Sequence, residues 1–164
     1  MSKSFTKLDS PGHEGETNTW FTPQWLLSSL GPFDLDPCTQ SFRPFNTATN
    51  HICEDLGECG LMAPWRGRVW LNPPYGKQLG VWIKKMDQHH NGVILTFSRT
   101  ETAWYQEALD MCDAFLLVRG RLSFINSAGK PSTNAGTGST LFAFGKENVK
   151  AISKIPGRLF RNVV

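Results

Sequence analysis

The stretch that decides the fold is residues 69–97, VWLNPPYGKQLGVWIKKMDQHHNGVILTF. It begins with an apolar strand that ends in two consecutive prolines, which cannot extend a strand because each lacks an N–H group. Apolar residues then recur at three- and four-residue steps over positions 79–86, which predicts a helix, and Gly92 is expected to end it. The apolar run 93–97 has the length of a buried strand. The stretch therefore predicts a strand, a stiff loop, a helix and a second strand.

The residues upstream of this stretch predict one more helix and one more strand. Thr22 is expected to cap a helix that Pro23 begins and Gly31 ends. A short strand is predicted over residues 33–37. Residues 38–67 are polar and without clear periodicity, so we interpret them as mostly loop with one short helix or strand.

The residues downstream continue the alternation and then change character. A helix over about residues 101–112 and a buried strand over 114–118 extend a pattern that is typical of a parallel sheet wrapped by helices. Residues 121–125 alternate polar and apolar, residues 126–138 are rich in Gly, Ser, Thr and Asn, and residues 141–144 are apolar. We interpret this last third as an antiparallel hairpin with a long loop, appended to the edge of a mostly parallel sheet. The predicted fold class is α/β.

Length and composition favour a single domain over residues 1–164, with residues 1–15 as a loose N-terminal arm. The chain has 17 basic and 14 acidic residues and a formal net charge of +3, which permits a polyanionic partner without requiring one. The polar start predicts no secretory signal, and the lack of an apolar run of about 18 residues predicts no membrane span. The four cysteines lack a common zinc-site spacing, which favours reduced thiols in a cytoplasm and no metal.

The loop Asn72-Pro73-Pro74-Tyr75 is the strongest indication of chemistry. An exocyclic amine on an aromatic base is a poor nucleophile, because its lone pair is delocalised into the ring. Hydrogen bonds from its two N–H groups to the Asn72 side-chain oxygen and the Pro73 carbonyl would free that lone pair. Tyr75 can stack on a base that has been flipped out of a duplex. The alternative is a proline-rich turn that merely ends a strand.

Three acidic residues are candidates for binding a methyl donor. Asp34 and Asp36 come at the end of the first predicted strand, and carboxylates at strand carboxyl ends of an open α/β sheet face the ligand crevice. A donor with a ribose and a cationic aminoacyl tail would bind such acids favourably. Asp55 can hold the other end of the same cofactor. Solvated or helix-capping carboxylates are the alternative interpretation for all three.

Four basic residues are candidates for DNA contacts, namely Arg99, Arg119, Arg121 and Lys130. Arg119 and Arg121 follow a predicted strand, where they can clamp phosphates, and the loop over residues 126–138 can enter a groove. Phosphate contacts position a protein on DNA without specifying sequence. Solvent-facing or internally paired side chains are the alternative interpretation.

Five segments, taken in order, resemble a known family. They are Trp20-Phe21-Thr22-Pro23, Phe33-Asp34-Leu35-Asp36-Pro37, Trp70-Leu71-Asn72-Pro73-Pro74-Tyr75-Gly76, Thr100 to Trp104, and Gly120-Arg121-Leu122-Ser123-Phe124. This set resembles the phage DNA adenine-N6-methyltransferases, small Dam-like enzymes that use S-adenosylmethionine, over about residues 17–145. The resemblance implies a Rossmann-like class I methyltransferase fold. It also implies an enzyme that acts on a target adenine in double-stranded DNA. For a phage-encoded chain, the expected location is the cytoplasm of the bacterial host.

The resemblance also implies roles for individual residues. The catalytic loop is expected to be Asn72, Pro73, Pro74 and Tyr75. The resemblance implies that Thr22, Pro23, Asp36 and Asp55 line the cofactor pocket. We predict that Trp20, Asp34 and Pro37, from the same segments, also bind the cofactor.

Two departures from the family pattern leave alternatives open. Most methyltransferases of this type place a glycine-rich turn after the first strand, whereas residues 37–41 contain no glycine. The segment around Asp55 is expanded, so either Asp55 or Glu58 matches the family's acid. The same proline loop also serves methylation of cytosine N4 and of protein glutamine, and a non-catalytic DNA-binding module that keeps the fold is a third alternative.

Overall fold

A computed structural model describes residues 21–126, 129–131 and 136–162 of the chain. The loose arm predicted over residues 1–15 lies outside the described residues, as does Trp20. Parts of the loop predicted over residues 126–138 also lie outside them. Among the described residues, no helix is long and apolar enough to cross a membrane.

The described residues form one seven-stranded sheet with α-helices on both faces. The predicted helices and buried strands are present, several of them with shifted ends, and the strand predicted over 114–118 is confirmed with those bounds. The region predicted to be mostly loop contains a strand and a 3₁₀ turn, and one further helix and one further strand follow the last predicted strand. In chain order the elements are α1 (Gln24–Leu30), β1 (Leu35–Thr39), β2 (Asn50–Cys53), a 3₁₀ turn (Glu54–Leu56), β3 (Val69–Leu71), α2 (Leu79–His89), β4 (Gly92–Phe97), α3 (Ala103–Met111), β5 (Ala114–Val118), β6 (Ser139–Phe144), α4 (Lys146–Ile152) and β7 (Gly157–Arg161).

The sheet is mixed, and the expectation of a mostly parallel sheet is wrong. The strand order is β2-β1-β3-β4-β6-β5-β7. Strand β1 pairs in parallel with β2 and β3, and β3 pairs in parallel with β4. Strand β6 is antiparallel to both β4 and β5, and β7 is antiparallel to β5. The parallel half therefore contains the segments for which we predicted cofactor binding and catalysis.

The antiparallel hairpin predicted at the sheet edge is also wrong. Its second strand, now β6, lies inside the sheet between β4 and β5, and all six of its residues are buried. Residues 121–125 form no strand, because only Ile125 makes bridges, to Phe21 and Pro131. A strand buried on both faces belongs in the interior of a sheet, which explains the uninterrupted apolar run over residues 141–144.

Alternate residues of the central strands contribute to two apolar cores on opposite faces. In β3, Trp70 packs with the core under α1 and α4, whereas Leu71 packs with the core under α2 and α3. In β4, Leu95 packs with the core under α1 and α4, and Ile94 packs with the core under α2 and α3. The helices thus cover both faces and leave the strand ends open for a site.

The ends of helix α1 differ slightly from the prediction. Pro23 occupies the capping position with φ −58° and ψ 133°, and no side chain caps the helix. Thr22 therefore lies outside the helix, and its hydroxyl is used elsewhere, as described below. Gly31 ends the helix as expected, with φ 92° and its N–H donating to the Leu27 carbonyl.

Helix α2 ends at His89, with His90 in the C-cap position, rather than at Gly92. His90 adopts the left-handed conformation with φ 54°, and its N–H donates to the Met86 carbonyl at 2.7 Å. Gly92 instead begins β4, where a Cβ atom would lie 2.4 Å from the Val69 carbonyl oxygen. The close approach of β3 therefore requires a glycine at position 92. The prediction that Gly92 ends the helix is wrong.

Arg68 anchors the start of β3 to helix α1. Its buried guanidinium donates to the Leu30 and Pro32 carbonyls at 2.9 Å and to the Asn148 side-chain oxygen at 2.6 Å. Burial lowers the pKa of Arg68. The bonds tie α1, α4 and β3 together at the amino end of the sheet, so that β3 leaves the opposite end in a defined position.

Candidate active site

The parallel strands β1, β3 and β4 end at one side of the sheet, which we call the carboxyl edge. Strand β5 points the same way, because β6 is antiparallel to both β4 and β5. The loops that begin at Gln40, Asn72, Ser98 and Arg119 therefore all leave from this edge. Ligands of open α/β sheets bind outside the carboxyl ends of the strands.

The proline loop, residues 72–75, leaves β3 at the carboxyl edge. The Asn72 side-chain nitrogen donates to the Thr22 hydroxyl at 3.4 Å, and the Asn72 main-chain carbonyl accepts from the Cys38 thiol at 3.4 Å. Because the amide nitrogen faces Thr22, the amide oxygen is presented on the other side of the group as an acceptor. Pro73 is buried and Pro74 is exposed, and neither has an N–H to compete for the same acceptors.

Tyr75 and Phe97 form a stacked pair beside this loop. Their ring centroids are 4.3 Å apart with an interplanar angle of 9°, and Phe97 packs edge-on against Phe124 at 6.1 Å. Tyr75 is 44% exposed, but burial of its hydroxyl raises the pKa of that group, an effect that a hydrogen bond with the Phe97 main chain partly offsets. Phe97 thus covers one face of the Tyr75 ring.

Asp36 is a buried carboxylate, with only 4% of the residue exposed. It accepts the Cys38 N–H at 3.2 Å and the Thr47 hydroxyl. Burial raises the pKa of Asp36 to about 6, although these bonds and the Arg43 guanidinium act in the opposite direction. The structure therefore holds a negative charge that is only partly compensated, which suits a nearby cation.

Asp55 lies in the 3₁₀ turn after β2 and is exposed. Its carboxylate accepts the N–H of Ser41 at 2.9 Å and the Ser41 hydroxyl, and these bonds lower the pKa of Asp55. Glu58 instead accepts the main-chain N–H of Cys53 at 2.7 Å. Of the two acids, Asp55 is the one tied to the loop that follows β1.

The remaining predicted cofactor residues divide between the two ends of the sheet. Asp34 lies at the amino end of β1, where its carboxylate accepts the main-chain N–H of Arg68 at 2.6 Å, so the structure does not bring it to the carboxyl edge. Pro37 is buried in β1, and a Cβ atom at Gly60 would lie 1.8 Å from its carbonyl oxygen. Pro23 is buried at the start of α1. The predicted residues at or beside the carboxyl edge are Thr22, Pro23, Asp55 and the proline loop, whereas Asp36 and Pro37 lie within β1, whose last residue is Thr39.

The basic residues predicted to contact DNA leave from or follow the same edge. Arg99 comes two residues after β4 and is partly buried, whereas Arg119 and Arg121 are exposed after β5. Lys130 is exposed, and its main-chain N–H donates to the Asn126 side chain at 2.9 Å. The positive charges are therefore on the side of the sheet from which the proline loop emerges.

A cleft of about 350 Å³ lies between helix α1 and residues 45–49. Its lining includes Gln24, Phe33 and Thr47. Thr47 lines the cleft, and its hydroxyl donates to the buried carboxylate of Asp36.

Sequence reasoning missed four residues that organise this edge, namely Cys38, Ser41, Thr47 and Phe97. Cys38 follows Asp36 and Pro37 directly, which was a signal for its position, and burial raises its pKa so that the thiol stays protonated and donates. Ser41, Thr47 and Phe97 contact partners that are distant in sequence, and only the folded structure brings them together. Among the described residues, no group of three or more His, Cys, Asp or Glu side chains is placed to hold a metal ion.

Comparison with known proteins identifies the family of the chain. A family model of DNA N-6-adenine-methyltransferase (Dam) matches residues 10–158. A DNA N-6-adenine-methyltransferase of Escherichia phage T1 is 27% identical over 152 aligned positions, and the match covers 75% of this chain and 60% of that protein. The chain thus spans less than two thirds of the length of this relative, and no solved structure matches it. Because the family model extends over nearly its whole length, the chain belongs to the DNA N-6-adenine-methyltransferase (Dam) family.

Proposed function

We propose that this chain transfers a methyl group from S-adenosylmethionine to the N6 amino group of adenine in double-stranded DNA. The family match supports the reaction class. The observation that carries the proposal is the position of Asn72, which is held by Thr22 and by Cys38, the residue whose N–H also donates to Asp36. An amide and a proline carbonyl beside two carboxylates can grip an amine next to a cationic methyl donor.

The donor supplies a methyl group on a positively charged sulfur, and the residues present fit its other parts. Asp36 is a buried carboxylate whose charge lacks full compensation, so it favours a cationic group such as the aminoacyl ammonium. Asp55 is exposed and keeps acceptor capacity beyond its bonds to Ser41, which suits ribose hydroxyls. The proposed fold is accordingly a Rossmann-like class I methyltransferase with a mixed sheet.

The target amine is held by the proline loop. The Asn72 side-chain oxygen and the Pro73 carbonyl would accept its two hydrogens, which localises the nitrogen lone pair for attack on the methyl carbon. As that bond forms, the bond between the methyl carbon and the donor's sulfur would break and a neutral thioether would leave. The methylated nitrogen then loses one proton to water. Tyr75 stacks on the flipped base with its exposed face, and Phe97 supports the opposite face of that ring. Preorganised acceptors of this kind typically contribute about 100- to 1,000-fold to turnover.

Four basic residues would hold the DNA backbone on both sides of the flipped base, namely Arg99, Arg119, Arg121 and Lys130. Contacts between such side chains and phosphates release counterions, so binding should weaken steeply as salt concentration rises. Sequence preference would have to come from other contacts, because phosphates are alike at every site.

The test is to incubate the protein with isotopically labelled S-adenosylmethionine and unmethylated duplex DNA, and to digest the DNA for mass spectrometry of the nucleosides. We expect labelled N6-methyladenine. Labelled N4-methylcytosine, or label in glutamine of an added protein, would assign the loop to a different amine. Failure to bind the donor in calorimetry would instead indicate a non-catalytic DNA-binding module.

A further inference from the structure

The loop between β1 and β2 makes contact with both of the carboxylates proposed to bind the donor. At one end, Ser41 donates its N–H and its hydroxyl to Asp55. At the other end, Thr47 donates its hydroxyl to Asp36 and is itself 8% exposed. Asp36 lies in β1 and Asp55 in the 3₁₀ turn after β2, and this single loop makes hydrogen bonds to both.

Arg43 holds the middle of that loop in shape. Its guanidinium donates to the Gln40 carbonyl at 2.9 Å, to the Ser41 carbonyl at 3.3 Å and to the Asn46 side-chain oxygen at 3.3 Å. It also lies 3.1 Å from the His51 ring nitrogen, across in β2. Burial and the adjacent guanidinium lower the pKa of His51, which favours the neutral ring that accepts this bond. A planar group with five donors can fix several acceptors at once.

These contacts occur where the family pattern places a glycine-rich turn, whereas residues 37–41 contain no glycine. A glycine-rich turn allows main-chain N–H groups to approach a bound ligand closely. Here the N–H groups of Cys38 and Ser41 donate to the protein's own carboxylates instead. A hydroxyl donating to a carboxylate favours its ionised form, so Thr47 offsets part of the burial of Asp36.

We propose that Ser41, Arg43 and Thr47 form a side-chain clasp that positions Asp36 and Asp55 for binding the methyl donor. The inference rests on the proposed function, since it assumes that these acids bind that donor. The three residues are positioning residues, because they act on the donor through the carboxylates. Loss of a clasp contact weakens donor binding. It leaves the hydrogen bonds from the target amine to Asn72 and Pro73 unchanged.

The experiment compares Ser41→Ala and Thr47→Val with the unaltered protein, using calorimetric binding of S-adenosylmethionine and steady-state kinetics with DNA. Removing a hydrogen bond to a charged group should raise the donor Kd and KM by about tenfold or more. The kcat at saturating donor and the KM for DNA should stay within about twofold, since the proline loop is untouched. Thr47→Ser should restore most of the donor affinity, because it keeps the hydroxyl.

Thr49→Val is the matched control, since Thr49 belongs to the same loop but its hydroxyl donates to the Phe33 carbonyl. Its donor Kd should equal that of the unaltered protein. Equal donor Kd values for Ser41→Ala, Thr47→Val and the control would overturn the clasp while leaving the proposed function in place. A fall in kcat with unchanged donor KM would also overturn it, because that result indicates a general loss of structure. No donor binding by the unaltered protein would overturn the proposed function itself.

Discussion

Replacing Asp36 by asparagine should stabilise the protein while it weakens donor binding. Burial raises the pKa of this carboxyl from 3.8 to about 6, so the folded protein keeps a charge at neutral pH that the surroundings disfavour. The amide has nearly the same shape, can accept the Cys38 N–H and can bond to the Thr47 hydroxyl. The substitution therefore removes the charge with little change in packing.

The magnitude follows from linkage between proton binding and folding. A rise in pKa from 3.8 to about 6 costs the ionised folded state about 3 kcal/mol. This figure already includes the Thr47 hydrogen bond, which acts to lower the pKa. The gain at pH 8 is therefore about 3 kcal/mol, or roughly 6–12 °C in Tm for a domain of this size.

The sign of the pH dependence is determined by the same shift. Because the folded pKa lies above the unfolded one, the folded protein binds more protons than the unfolded chain between pH 3.8 and about 6. The contribution of Asp36 to stability is fully present below pH 3.8 and is lost as the pH rises through about 6. The advantage of Asp36→Asn should thus be large at pH 8 and nearly absent near pH 4.

Urea unfolding of both proteins at several pH values between about 4 and 8 measures this difference, since the other titrating groups are common to the two. Calorimetry at pH 8 should show a donor Kd raised by tenfold or more in Asp36→Asn, because a carboxylate paired with a cation is replaced by a neutral amide. A variant that is less stable than the unaltered protein at pH 8 would refute the reasoning about the buried charge. Unchanged donor affinity would refute the role of Asp36 in binding.

Three further substitutions test other parts of the site. Asn72→Ala should lower kcat about 100-fold at unchanged donor Kd, because one acceptor for the amine is lost; near-normal single-turnover rates would contradict this. Phe97→Ala should raise the KM for DNA about fivefold, because the stacked ring pair contributes about 1 kcal/mol; steady-state titration with DNA measures it, and an unchanged KM would argue against the stack. Gly60→Ala should raise the donor Kd and lower Tm, because its Cβ would lie 1.8 Å from the Pro37 carbonyl oxygen; calorimetry and thermal unfolding report both, and wild-type values would exclude this packing.

Gly80→Ala is the control for the glycine substitution. Gly80 lies in helix α2, and its added Cβ would meet no atom closer than the Trp104 Cβ at 3.9 Å. The alanine should raise stability by up to about 1 kcal/mol through helix propensity, with donor binding unchanged.

Local sequence was sufficient to predict most of the elements around the site. The two prolines after Leu71 mark the end of β3, and the apolar spacing over residues 79–86 identifies α2. These signals depend on properties of neighbouring residues, which the sequence states directly. The family resemblance likewise agreed with the match to residues 10–158.

Sheet order was not predictable in the same way. A strand buried on both faces has the same apolar sequence whether its neighbours are parallel or antiparallel. The insertion of β6 between β4 and β5 depends on pairing between residues far apart in the chain. The short apolar run over residues 141–144 therefore predicted a strand correctly. Its predicted position at the edge of the sheet was wrong, because β6 lies in the interior.

By itself the sequence determined which chemical groups are available, a proline loop with acceptors, several carboxylates and a modest positive charge. Only the tertiary structure decided which of them meet. It brings Asp36 into a hydrogen bond with Thr47 and Asp55 into hydrogen bonds with Ser41. It places Asp34 at the amino end of β1, where it bonds to Arg68. The reason is physical: the burial, charge and hydrogen bonding of a side chain depend on residues distant in sequence, and only folding brings these together.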